Sequence, residues 1–391
     1  MTKPNFDEKI DRIGTHSAKW DALETRYGLS PDDGISMWVA DMEFKPPQSV
    51  LDALGGMVDH GVFGYYGDQT SYLESITRWM QKRHNWTVDP SWIFTTHGLV
   101  NGTALCLQTY TEPGDGVILF TPVYHVFSRL IADNNRRLVE SPLVESDGRY
   151  EMDLDALESQ LTGSEKMVIF CSPHNPGGRV WRTQELKAVC DFCIKHDLIL
   201  VSDEIHHDLV FDGNQHTVMS LVTPEISKHL IMMTAATKTF NMAGGHSGNV
   251  IIEDPDLREM FSATMKAMGM SPNSFGVVMT EAAYNGGEQW LGELIPYLDE
   301  NRRVFDAGIN AIPGLRSMEL EATYLAWVDF SGTGMTPDAF TDRVQKTARI
   351  ATNYGPTFGA GGDNFLRFNL ACQKAVVEEA LARLTAAFSD K

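Results

Sequence analysis

Residues 230–252 read LIMMTAATKTFNMAGGHSGNVII. The apolar runs Leu230–Met233 and Val250–Ile252 have the look of two buried strands, and a lone lysine, Lys238, stands between them. Small and hydroxyl residues flank it and paired glycines follow, so a planar ligand can approach the backbone closely. The Thr hydroxyls and backbone N–H groups suit a phosphate. A lysine partly withdrawn from water there has a lowered pKa, which frees the amine for imine chemistry.

Working outward, similar apolar runs recur at Trp92–Thr96, Val117–Phe120, Lys166–Cys171 and Leu198–Ser202. Each alternates with a helix-like segment and ends in polar residues. That pattern predicts an α/β fold with a mostly parallel central sheet between helices, whose ligand crevice lies at the strands' carboxyl ends. The turn His97-Gly98-Leu99-Val100 carries a strand into a helix, a natural anion site. Helices are expected over 47–60, 71–85, 183–196, 256–268 and 274–312, the last broken near Gly286-Gly287. Beyond residue 290 the order changes to a strand at 324–330, a helix at 337–349, a strand at 365–371 and a helix at 374–388. The expected division is an N-terminal arm, 1–50, a large ligand-binding domain, 51–289, and a smaller α+β domain, 290–391, which the arm completes.

The chain has 391 residues, enough for two domains. Its hydrophobic content of 43% and charged content of 21% are ordinary for a globular protein, and its net charge of −20 argues against a nucleic-acid partner. The polar N-terminus and the lack of a long apolar run predict no signal peptide, no membrane span and a cytoplasmic location. The five cysteines show no disulfide spacing, and Cys190 and Cys193 are expected as two semi-buried thiols of one helix. His207 and Asp208, as neighbours on one element, are expected to point apart and be solvated rather than to bind metal.

Read together, the strand ends supply an unusual set. Asp203 closes an apolar strand, where an unpaired carboxylate is costly; it suits a protonated ring nitrogen. Asn175 and His206 suit a phenolic oxygen on the same ring, Tyr124 suits its face, Gly98, Leu99, Val100 and Thr237 suit a phosphate, and Lys238 suits an imine. The set describes pyridoxal 5′-phosphate.

The chain resembles fold-type I pyridoxal-phosphate enzymes, and within them the MalY/PatB branch of cystathionine β-lyases. The matching stretches are MWVADMEF (37–44), HGVFGYY (60–66), TPVYHVF (121–127), SPHNPGGRVW (172–181), SDEIHHDLV (202–210), TKTFNMAG (237–244), TYLAWVDF (323–330) and NFLRFNLAC (364–372). The resemblance implies an aspartate aminotransferase-like fold and a cofactor covalently bound to Lys238, the acid/base at the substrate Cα. It implies that Asp203 keeps the pyridine nitrogen protonated, that Asn175 and His206 address the ring oxygen, and that Tyr124 stacks. The amides of Gly98, Leu99 and Val100 and the Thr237 hydroxyl then hold the phosphate, joined by Tyr65 from a neighbouring subunit, so a homodimer is expected. Arg367 takes the substrate carboxylate, with Asn175 and Tyr124 beside it.

Ala235 stands where many relatives have serine or glycine, and His246 where aminotransferases often have arginine. Gln373 and Lys374 also depart from the common pattern. The implied activity is α,β-elimination on L-cystathionine or another cysteine S-conjugate, giving a thiol, pyruvate and ammonia. An aminotransferase shares every cofactor residue and is the rival reading; a non-catalytic pyridoxal-phosphate-binding regulator is the other.

Overall fold

A computed structural model describes residues 3–146 and 148–389 of the chain. Its centre is a seven-stranded sheet of β1 (Ile93–Thr96), β2 (Gly116–Thr121), β3 (Arg137–Pro142), β4 (Glu165–Cys171), β5 (Ile199–Asp203), β6 (Leu230–Thr234) and β7 (Gly248–Ile251). The order across the sheet is β1-β7-β6-β5-β4-β2-β3. β7 runs antiparallel to both its neighbours, and the pairs from β6 to β3 are parallel. The carboxyl ends of β1, β2, β4, β5 and β6 therefore open on one edge.

Successive residues of these strands enter different cores. Ile118, Phe120, Val168 and Leu200 pack into one cluster, while Val117, Leu119, Ile169 and Val201 pack into another. Continuous apolar runs are what a sheet covered on both faces requires. Helices Thr70–His84, Thr183–Lys195 and Ser274–Gly286 supply the first cluster, and Leu99–Tyr110, Val126–Asp133 and Pro255–Ala267 the second.

The expected break at Gly286-Gly287 separates Ser274–Gly286 from the long helix Glu288–Asn310. A Cβ on Gly287 would sit 2.5 Å from the Phe240 ring and 2.6 Å from the Ala283 carbonyl, so only glycine fits there. Beyond it, β8 (Arg316–Ser317), β9 (Leu325–Asp329), β10 (Asn353–Tyr354) and β11 (Phe365–Asn369) form an antiparallel sheet in the order β8-β9-β11-β10. The arm reaches this region: Ile35–Ser36 pairs in parallel with Ile350–Ala351, and the Asn369 N–H donates to the Met37 carbonyl at 2.8 Å.

Two local expectations are corrected. The helix expected over 337–349 is regular only at Pro337–Asp342 and then widens into a looser turn at Arg343–Thr347. β3 and the hairpin Val144–Ser146/Arg149–Glu151 were not expected, because their runs are charged and short. Among the described residues no helix is long and apolar enough to cross a membrane.

Candidate active site

A cavity of about 600 Å³ opens at the strands' carboxyl ends. Gly98, Leu99, Val100, Tyr124, Asn175, Asp203, His206, Thr237, Lys238 and Arg367 all line it. All but Arg367 arrive from five strand ends: β1 leads to Gly98, Leu99 and Val100, β2 to Tyr124, β4 to Asn175, β5 to Asp203 and His206, and β6 to Thr237 and Lys238. Arg367 comes from β11, where it lies opposite Trp327 and Asn353. Tyr65 is the exception, since it is fully exposed and lies outside this chain's cavity.

Lys238 sits in the short helix Ala236–Thr239, and its Nζ donates to the Ala40 carbonyl at 2.5 Å. Tyr324 Oη donates to the same oxygen at 3.0 Å. Burial lowers the Lys238 amine to about 8; Asp41 opposes that shift and Arg367 adds to it. Asp203 is buried, and one of its oxygens accepts the Ile205 N–H at 3.1 Å. Burial raises its carboxyl to about 7, against the pull of that hydrogen bond.

Arg367 is enclosed and held from three sides. Nη1 donates to Asn175 Oδ1 at 2.9 Å, and Nη2 donates to the Trp38 carbonyl at 3.1 Å and to Asn353 Oδ1 at 2.6 Å. Its guanidinium also lies 5.0 Å from the Phe358 ring centroid. No carboxylate is among these partners, so the positive charge stays available to an anionic ligand.

The residues fit pyridoxal phosphate on observations independent of the resemblance. The ring Nδ1 of His206 and Nε of Arg367 are buried without a partner. The helix Leu99–Tyr110 starts at Gly98 with no side chain capping its free N–H groups. Gly98 has φ +85 with open space at its missing Cβ, a bare backbone platform for an anion. Asp203 is a buried carboxyl in need of a cation. His246, at φ +44, is exposed and lines the cavity rather than packing into the core, whereas Ala235 is buried.

His207 and Asp208 are not solvated. Both are buried beside His84, with His207 Nε2 3.4 Å from Asp208 Oδ2 and His84 Nε2 2.9 Å from Oδ1. They lie on a turn after β5, where the alternation of a regular element does not apply. Trp79 Nε1 and Thr239 Oγ1 also reach the carboxylate, each at 3.0 Å from Oδ2. With both oxygens taken by N–H and O–H donors, the group is a buried hydrogen-bond network. Cys190 and Cys193 are fully rather than partly buried, and all five cysteines are free.

Arg26, Tyr27, Trp38 and Asn353 also line the cavity, and no motif in the sequence marks them for it. Trp38 and Ala40 act through backbone carbonyls, which have no residue signature. The stretch MWVADMEF held them, and its match to relatives was the available signal.

A mostly parallel sheet with a half-buried lysine and a buried aspartate and arginine converging at its carboxyl edge is the fold-type I arrangement. The chain belongs to the aminotransferase class I and II family, which it matches over residues 33–384. It is 37% identical over 388 residues to the cystathionine beta-lyase PatB of Bacillus subtilis, covering 98% of this chain and 100% of that one. Cystalysin from Treponema denticola, whose crystal structure contains pyridoxal 5′-phosphate, superposes with a TM-score of 0.95 at 36% identity, covering 100% of both chains. The pyridoxal-phosphate-bound C–S lyase from Staphylococcus hominis gives a TM-score of 0.91 at 30% identity, covering 99% of this chain and 98% of that one.

Proposed function

We propose that the protein is a pyridoxal-phosphate-dependent C–S β-lyase that cleaves L-cystathionine or related cysteine S-conjugates to a thiol, pyruvate and ammonia. The observation that carries this reading is the convergence of Lys238, Asp203, Asn175 and Arg367 on one cavity. Relatives of similar length, cystathionine beta-lyase and C–S lyase by name, support it.

When bound, the cofactor supplies a protonated pyridine ring that accepts the electron pair left at the substrate Cα. Lys238 would hold it covalently and, with its amine free, would take the Cα proton on Nζ. The lowered amine pKa suits that exchange near neutral pH. Asp203 pairs with the ring nitrogen and so keeps its proton in place. Asn175 and His206 address the ring oxygen, and Tyr124 covers the ring face. Gly98, Leu99, Val100 and Thr237 hold the phosphate. Arg367 orients the substrate through its α-carboxylate while Asn175, Asn353 and the Trp38 carbonyl hold its fork. The thiolate would then leave Cβ and take up a proton, and water would hydrolyse the released three-carbon fragment to pyruvate and ammonia.

Residues 51–289 serve in this reading as the cofactor-binding domain, and 290–391 with the arm 1–50 as the domain that brings Arg367. Exposed Tyr65 reaches the phosphate of a second copy, making the working unit a homodimer. Five unpaired cysteines suit a reducing cytoplasm. Incubation with cystathionine tests the proposal: pyruvate and free thiol are expected, and neither appearing contradicts it.

A further inference from the structure

We infer that Arg26 reads a second carboxylate on the substrate, so that the preferred S-conjugates carry an acidic group on the thiol that departs. This rests on the lyase reading for the reaction, and on the cavity alone for the recognition.

Arg26 lines the same cavity as Lys238 and Arg367. It belongs to the short helix Leu23–Tyr27, which Gly28 closes at φ +63 by donating its N–H to the Glu24 carbonyl at 2.8 Å. Leu23 and Leu29 anchor that helix in a small cluster with Trp38 and Ala351. Gln345 Nε2 ties it down further by donating to the Tyr27 carbonyl at 2.6 Å. The segment is therefore a fixed wall of the cavity although it lies in the arm.

The Arg26 guanidinium lies 5.2 Å from the Trp38 ring centroid, and among the described residues no carboxylate pairs with it. Stacking on an indole fixes the plane of a guanidinium while leaving its N–H edge free, the arrangement that takes a carboxylate bidentately. Trp38 links the two arginines, because its carbonyl accepts from Arg367 Nη2 at 3.1 Å. Neighbouring hydroxyls are already engaged: Tyr27 donates to the Thr352 carbonyl at 2.9 Å and Tyr354 to Asp338 Oδ1 at 3.0 Å.

Charge points the same way. The lining residues include Arg26, Lys238 and Arg367 as cations and one carboxyl, Asp203, in a protein of net charge −20. With Asp203 facing the ring nitrogen and Arg367 taking the α-carboxylate, Arg26 is the unassigned cation. A substrate ending in a second carboxylate satisfies it, and a neutral alkyl tail leaves it unused.

The test compares S-(2-carboxyethyl)-L-cysteine with the near-isosteric S-propyl-L-cysteine, using wild-type and Arg26→Gln holoenzyme. The substitution should lower kcat/KM for the carboxyethyl compound at least ~10-fold, through KM, and leave the propyl compound within about twofold. An equal fall for both compounds, or no fall for either, overturns the inference while the lyase reading stands. Equilibrium binding in the non-turning-over Lys238→Ala background, with and without Arg26→Gln, gives the same comparison as Kd. If wild type cleaves neither compound, the lyase reading rests on the cystathionine assay alone, and Kd still decides the role of Arg26: selective weakening for the carboxyethyl compound supports it and uniform binding overturns it.

Discussion

Lys238 Nζ and Tyr324 Oη share one acceptor, the carbonyl oxygen of Ala40, at 2.5 and 3.0 Å. A neutral carbonyl orients the amine without the stabilisation a carboxylate would give its charged form, so burial dominates and the amine falls to about 8. The neutral amine is the nucleophile. Capture of pyridoxal phosphate by cofactor-free protein should therefore speed up about tenfold per pH unit below 8 and level off above it. Stopped-flow absorbance measures this, and a rate still climbing past pH 10 contradicts it.

Arg367 should resist replacement by lysine. Its fork engages Asn175, Asn353 and the Trp38 carbonyl together, and a single ammonium cannot reproduce that geometry. Arg367→Lys should raise KM for the amino-acid substrate roughly 30-fold or more, from the ~2 kcal/mol or greater cost of losing a bidentate, charge-assisted contact in a buried site. Steady-state kinetics decides; an unchanged KM would place the substrate carboxylate elsewhere.

Asp208 is a stability element that also touches the residue after Lys238. Burial by itself would raise its carboxyl, but His207, His84 and Arg83 outweigh that and hold it well below the usual carboxylate range. A depressed pKa contributes stability that is fully present above the unfolded value near 4 and is lost as pH falls below it. Asp208→Ala should lower unfolding free energy by about 3 kcal/mol at pH 7, since it strands buried partners. Urea titrations at pH 7 and pH 5 should show about the same difference between variant and wild type, because the folded carboxyl stays ionised at both; a difference that shrinks between them contradicts it.

Tyr65 is exposed on its own chain and absent from its own cavity. If it serves a second copy, Tyr65→Ala and Lys238→Ala proteins should each be impaired, and mixing them after mild subunit exchange should restore activity to about a quarter of wild type at most, because one site of each mixed dimer is intact. Failure of the mixture to exceed its components, with mixed dimers shown to form, contradicts the shared site.

The parts of this structure legible in the sequence are those where burial constrains residue type. Strands β2, β4, β5 and β6 read as continuous apolar runs because both faces are covered, and Asp203, Asn175 and Lys238 stand out as polar groups where those runs end. β3 did not read as a strand, because an edge strand with Arg137, Glu140 and Pro142 needs no apolar alternation. The burial of His207 and Asp208 was missed for a different reason. Their partners, Trp79 and His84, come from a helix more than a hundred residues away in the chain, and no local pattern announces the contact. Arg26 escaped notice as one cation in a polar arm, until Trp38 and the cavity gave it a place.

The most direct measurement of the central claim is pyruvate release from L-cystathionine by wild-type and Lys238→Ala protein, with a 2-oxo acid added in a parallel reaction. Wild type should give pyruvate and free thiol, Lys238→Ala should give neither and lose the visible absorbance of the covalent lysine linkage, and the oxo acid should yield no new amino acid. Unchanged turnover in Lys238→Ala, or an amino acid formed in place of pyruvate, would contradict the claim.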